Sequence, residues 1–129
     1  TYIKQNSLEN YIHLLGWRND TRDIFKNSDI YVSSSYSESF PVAVREAMRE
    51  GLPIVVTDVG GTRALKNNNK NGFLFTPGDL ISLQNHLRVL LSNNTKRYEM
   101  GIESKKIIES KFSTKTYAQN FSRMIEKVF

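Results

Sequence analysis

The chain contains no cysteine, which removes disulfides and thiolate metal ligation from its chemistry and fits a reducing compartment. Its apolar runs are short as well: none approaches the roughly 18 consecutive apolar residues needed to span a bilayer, so a soluble chain is expected. The two histidines, His13 and His86, stand far apart with no clustered acid beside either, a poor inventory for a metal site. Neither sign of charge dominates. The balance of 18 Lys and Arg against 13 Asp and Glu gives +5, an excess that suits an anionic ligand without requiring one. The basic residues lie scattered among acids rather than in the stripe of a nucleic-acid surface, so no nucleic-acid partner is expected. An initiator methionine is absent at Thr1, and the expectation is of a fragment whose preceding segments cannot be read.

What is present fits one compact domain over residues 1–129. Its 129 residues are 39% apolar, enough for a single core. Four short runs read as strands: "YIHLLG" at 11–16, "DIYVSS" at 29–34, "PIVVTDV" at 53–59 and "GFLFT" at 72–76. In the third, Val55, Val56 and their neighbours form a continuous apolar run, the pattern of a strand buried on both faces of a parallel sheet. Helical patterns lie between the runs. Asp20 or Thr21 can cap "RDIFKNS", Pro41 suits the first turn of "PVAVREAMRE", and Gly51 supplies its left-handed stop. The alternation predicts an α/β fold, a Rossmann-like parallel sheet covered on both sides. Beyond Thr76 come three helical patterns. Leu80, Leu83, Leu87, Leu90 and Leu91 form a stripe behind an Asp79 cap, a second pattern runs from about Thr95 to Lys111, and Ser113 opens a third with Tyr117, Phe121, Met124, Ile125 and Val128 on one face. The segment "KNNNKNG" at 66–72 reads as an Asn-rich turn. Trp17, just after the first run, is expected to pack.

In a parallel sheet, ligands bind beyond the carboxyl ends of the strands, where loops enter helix N-termini. Two loops qualify. "SSYSESFP" leads into the helix that carries Glu46, whose first-turn N–H groups suit a phosphate. "DVGGT" brings Gly60 and Gly61, which allow close backbone approach to a ligand. Glu38 lies in the first loop and Glu46 about one and a half turns into the helix. A carboxylate beside a phosphate is repelled, whereas one set at sugar hydroxyls accepts charge-assisted hydrogen bonds. The pair therefore suggests sugar, phosphate, sugar. Two surface carboxylates, one in a turn near a helix N-terminus and one on a solvated helix face like Glu50, remain the other reading of the same residues.

The stretch "SSSYSESFPVAVREAMREGLPIVVTDVGGTRAL" resembles the signature of retaining GT-B-type glycosyltransferases of family four, in which two glutamates eight positions apart precede "EAM…G.P" and a Gly-Gly loop. The flanks "LLGWRNDTRDIFKNSDIYVSSS", "NGFLFTPGD" and "YEMGIESKKIIESKFS" are similar to that family as well, so the resemblance covers nearly the whole chain. It implies part of the C-terminal, donor-binding domain of a GT-B fold with a helical C-terminal tail. It further implies that Glu38 contacts the donor sugar as the catalytic-site acid, that Glu46 holds the nucleotide's ribose, and that Ser39, Phe40, Pro41 and Val42 meet the donor sugar and diphosphate. The implied partners are a nucleoside diphosphate sugar as donor substrate and a glycan or glycolipid acceptor bound by an N-terminal domain outside this chain. No cofactor or essential metal is implied, because helix N-termini and basic residues neutralise the leaving diphosphate. The implied setting is the cytoplasm, at or near the inner face of the membrane, in bacterial surface polysaccharide or glycolipid assembly. Two departures stand out: "TYIKQNSLEN" holds no Arg and Lys pair to clamp the diphosphate, and Ala64 replaces a frequent Glu. A non-catalytic nucleotide-sugar binding or interaction module of the same fold is the alternative; a sugar-nucleotide epimerase fits the two-glutamate motif and its flanks less well.

Overall fold

A computed structural model describes residues 1–127. Its elements are α1 (Tyr2–Gln5), α2 (Thr21–Lys26), β1 (Tyr31–Ser33), α3 (Val42–Arg49), β2 (Ile54–Thr57), α4 (Thr62–Leu65), β3 (Gly72–Phe75), α5 (Leu80–Leu91), α6 (Asn94–Lys111) and α7 (Thr114–Glu126). The three strands form one parallel sheet in the order β1-β2-β3. Val32 is opposite Val55, and Val55 is opposite Phe73. Every residue of β2 is buried, as its unbroken apolar run predicts for a central parallel strand.

The pleat of β2 divides the core. Ile54 and Val56 face Val44 and Met48 of α3, Leu65 of α4, and Ile107 and Ile108 of α6. Val55 faces the opposite way, with Phe75, Leu90 of α5 and Met100 of α6. The sheet is thus covered on both sides, as expected, and α6 contributes to both layers. It passes α3 closely at Gly101, where a side chain would run into the Gly51 carbonyl.

Local signals are matched where the side chain can act locally. Asp79 accepts from the Ser82 amide and Ser113 from the Thr116 amide at the starts of α5 and α7. Gly51 takes φ +86 at the end of α3, a backbone that favours glycine. Asp20 does precede α2, but its side chain makes no cap; it pairs with Arg18 instead.

Two expectations are corrected, and two helical faces are incompletely covered. Residues 11–16 form no strand. The Tyr11 and Ile12 amides bond back to Leu8 in a turn, and a strand exists only where a neighbour completes its ladder. Trp17 does not pack: it is 89% exposed. In the leucine stripe only Leu83, Leu87 and Leu90 join the core, while Leu80 and Leu91 are exposed. The apolar face of α7, formed by Tyr117, Phe121, Met124 and Ile125, is exposed along its length; Val128 lies outside the described residues. The short helices α1 and α4 carry no periodic pattern long enough to announce them.

Candidate functional site

The segment from Ser34 to Pro41 leaves the carboxyl end of β1 and enters α3. It is held from below. The Thr57 hydroxyl at the end of β2 donates to the Ser35 carbonyl at 2.6 Å, and the Gly61 amide donates to the Ser39 carbonyl at 2.9 Å. Gly60 and Gly61 press directly on this segment. A side chain on Gly60 would overlap the Glu38 carbonyl, and one on Gly61 would meet the Ser39 carbonyl and the Phe40 ring. The Gly-Gly pair thus lies in close approach to the backbone that carries Glu38. Gly60 adds a second reason for glycine, φ +48.

The Gly-Gly turn is itself braced. The Thr62 hydroxyl donates to the Thr57 carbonyl at 2.8 Å and accepts from the Val59 amide at 3.0 Å. Arg63 forms two hydrogen bonds to Asp58, at 2.6 and 2.8 Å, and holds its carboxyl below the usual range. Ala64 lies exposed on α4.

Ser39, Phe40 and Val42 are exposed, whereas Pro41 is buried. Pro41 stands at the cap position of α3, and no side chain caps that helix, so the first-turn N–H groups are open to an anion. Glu38 and Glu46 are both half-buried. They share a neighbour in Tyr31, whose phenol is pushed above its ordinary value first by burial and then by the Glu38 and Glu46 carboxylates. Tyr31 escaped the sequence reading because it looks like an ordinary apolar member of β1; its ring does pack edge-on to Phe25, with centroids 5.9 Å apart.

Glu46 also lines a cleft of about 270 Å³ between α2 and α3, with Thr21, Arg22, Phe25, Arg49 and Glu50. That is slightly below the roughly 300–1,000 Å³ of small-molecule pockets. Glu38 is not part of its wall. Glu50, read as an ordinary solvated residue, is tied down: its carboxylate accepts from Arg22 Nε at 2.8 Å, and its side chain is only 12% exposed. A partner 28 residues away leaves no mark in local sequence.

His86 is accounted for by packing, stacked on Phe73 at 4.5 Å with planes 5° apart. Among the described residues, no three His, Asp or Glu side chains gather where a metal ion could be held, and no helix is long and apolar enough to cross a membrane.

The model of the glycosyl transferases group 1 family matches residues 1–107. The chain belongs to that family. An Escherichia coli relative, UDP-Gal:alpha-D-GlcNAc-diphosphoundecaprenol alpha-1,3-galactosyltransferase, is 40% identical over 86 residues, 67% of this chain and 22% of that protein. A Campylobacter jejuni relative, N,N'-diacetylbacillosaminyl-diphospho-undecaprenol alpha-1,3-N-acetylgalactosaminyltransferase, is 33% identical over 90 residues, 70% of this chain and 24% of that protein. Among solved structures, Anabaena Alr3699/HepE in complex with UDP superposes with a TM-score of 0.89 at 28% identity, covering 97% of this chain and 35% of that one; the same protein has been solved with UDP-glucose. The group 1 chain described here thus spans about a fifth to a third of the length of these relatives.

Proposed function

We propose that residues 1–129 are one domain fragment, the donor-binding portion of a retaining glycosyltransferase that transfers a hexose from a nucleoside diphosphate sugar. The observation that carries this reading is the placement of Glu38 and Glu46. Glu38 stands in the segment that enters α3 at the carboxyl edge of a parallel sheet and Glu46 within α3 itself, in a chain of the group 1 family. In this reading Glu46 accepts hydrogen bonds from the ribose hydroxyls at the cleft wall. The open first turn of α3, with Ser39, Phe40, Pro41 and Val42, receives the diphosphate. Glu38 accepts from hydroxyls of the transferred sugar and acts on the reacting centre. Gly60 and Gly61 form the floor under Glu38 rather than a contact to the ligand.

An uncapped helix N-terminus aimed at the leaving diphosphate stabilises the charge that develops there as the glycosidic bond breaks, and the reading requires no cofactor beyond the donor. The acceptor is a glycan or glycolipid bound by another part of the parent protein, in bacterial surface polysaccharide assembly at the cytoplasmic face of the membrane. The names of the two bacterial relatives, both of which act on diphosphoundecaprenol-linked sugars, support that setting.

The test is a pair of substitutions in the full-length protein that contains this chain, with UDP as the probe. Glu46→Ala should weaken UDP binding about ten- to a hundredfold, or roughly 1.5–3 kcal/mol. Glu38→Ala should leave UDP affinity nearly unchanged and depress transfer strongly. Unchanged UDP affinity in Glu46→Ala, or full transfer activity in Glu38→Ala, would overturn the assignment. Retention is read separately, from the anomeric configuration of the product. Binding of UDP without any transfer would favour the non-catalytic module.

A further inference from the structure

Phe40 lies between Ser39, whose carbonyl is held by the Gly61 amide, and Pro41, which starts α3. Its ring is gripped from two directions. The Arg45 guanidinium lies over the ring, 4.5 Å from its centroid. Phe112 approaches at 5.5 Å with planes inclined by 51°. Gly61 closes a third side, where a side chain would come within 2.7 Å of the ring edge.

The state of Arg45 shows that this grip has a cost. Its Nε is buried without a hydrogen-bond partner among the described residues, and a buried unsatisfied donor loses free energy. Something must hold the guanidinium there despite the loss. The compensation on view is the face of Phe40, which attracts a cation through its ring quadrupole. Ordinary core packing does not account for the arrangement, because Phe40 is 37% exposed and belongs to neither core cluster. Phe112, in contrast, is anchored: it ends α6 and packs against the cluster formed by α3, β2 and α6.

We infer that Arg45 and Phe112 are positioning residues that grip Phe40 and thereby fix the Glu38–Phe40 backbone against Gly60 and Gly61. The C-terminal end of α6, distant in sequence, then sets where the Glu38 carboxylate stands. The catalytic consequence rests on the reading of Glu38 given above; the grip itself does not.

Two conservative substitutions test it. Arg45→Lys keeps the charge but loses the planar stacking group, and Phe112→Leu keeps apolar volume but loses the ring. Amide hydrogen exchange of the chain is read at Gly61, which donates to Ser39, with Val56 in the buried strand as the internal reference. Each variant should speed exchange at Gly61 at least about fivefold relative to Val56. In the full-length protein, with the donor it turns over, kcat should fall about tenfold while the donor KM stays within about twofold. Phe112→Tyr, which keeps the ring, should restore both readouts. Unchanged exchange at Gly61 in both variants, or equal acceleration at Gly61 and Val56, overturns the inference, the second because it marks core support alone. Loosening at Gly61 with an unchanged kcat also overturns the link to Glu38. If Glu38→Ala and Glu46→Ala leave binding and transfer intact, the donor-site reading fails instead, and the exchange at Gly61 still decides the grip.

Discussion

Replacing Gly60 by alanine should disable the site far more than it destabilises the fold, and Gly16 supplies the control. Both glycines have left-handed backbones, φ +48 at Gly60 and φ +66 at Gly16, so alanine costs about 1–2 kcal/mol of backbone strain at either position. The surroundings differ. A side chain at Gly16 meets nothing within 4 Å, whereas one at Gly60 would overlap the Glu38 carbonyl oxygen and lie 2.8 Å from its carbon. A carbon and a carbonyl oxygen rest no closer than about 3.3 Å, and the oxygen would stand at 1.6 Å, so the Glu38 backbone or the Gly-Gly turn must move by about 1.7 Å. Such a displacement of a group at the reacting centre costs on the order of a hundredfold in rate. Strain and overpacking together should cost Gly60→Ala about 2–4 kcal/mol. The assay pairs thermal melting with initial transfer rates in the full-length protein. Gly16→Ala should melt a few degrees lower with its rate intact, and Gly60→Ala should melt lower still and lose about two orders of magnitude in rate. Equal rates in the two variants would refute the reasoning, because the collision with Glu38 would then have no consequence for the chemistry.

Glu50→Ala should act oppositely to Glu46→Ala, despite the shared cleft. It frees Arg22 at the cleft mouth and removes a negative charge, so UDP should bind equally well or up to about threefold tighter at 50 mM salt, with the gain lost at 500 mM; weakened binding at both salt concentrations, by calorimetry, would contradict this. Asp58 and Asp79 have carboxyls held below their usual range, the first chiefly by its hydrogen bond from Arg63 and the second by that from Ser82. A lowered folded value gives stability that is full above the ordinary carboxylate range and lost below it, as pH falls through the lowered folded value. Melting temperature should therefore hold from pH 7 to about 5 and drop below about pH 4, with a shallower drop in Asp58→Asn. Finally, among the described residues β1 is an edge strand of the sheet, and Tyr11, Ile12, Leu14, Leu15 and Trp17 are exposed; open edges and exposed apolar side chains promote association. Light scattering of the 129-residue chain should show self-association toward millimolar concentration, reduced by Trp17→Glu; a strictly monomeric profile counts against it.

Legibility followed the range of each interaction. The β2 run could be read as buried on both faces because it offers no polar alternate, and the caps at Asp79 and Ser113 because their partners lie three residues on. Residues 11–16 show the limit: the pattern gives apolar residues, but a strand also requires a neighbour, and the described residues place none there. The exposure of the α7 face could not be read for a similar reason, since amphipathicity announces a face to be covered without naming its cover. At the candidate site, the two glutamates are singled out by their motif. The influence of both carboxylates on Tyr31, the Arg22–Glu50 pair and the grip on Phe40 could not be read, because each joins positions whose spacing carries no periodic signal.

Those long-range contacts also separate stability from activity. The buried strand and the two core clusters contain neither Glu38 nor Phe40, so the segment proposed to carry the chemistry is held by contacts peripheral to the core. The bonds from Thr57 to Ser35 and from Gly61 to Ser39, and the packing around Phe40, fix its path while contributing modestly to folding. Substitutions in β2 should lower melting temperature and rate together, because the scaffold fails as a whole. Substitutions at Gly60, Arg45 or Phe112 should move the rate disproportionately. A plot of rate against melting temperature across both sets should therefore show two lines of different slope; a single line would mean that the loop has no independent geometry, and that its position follows from the stability of the fold alone.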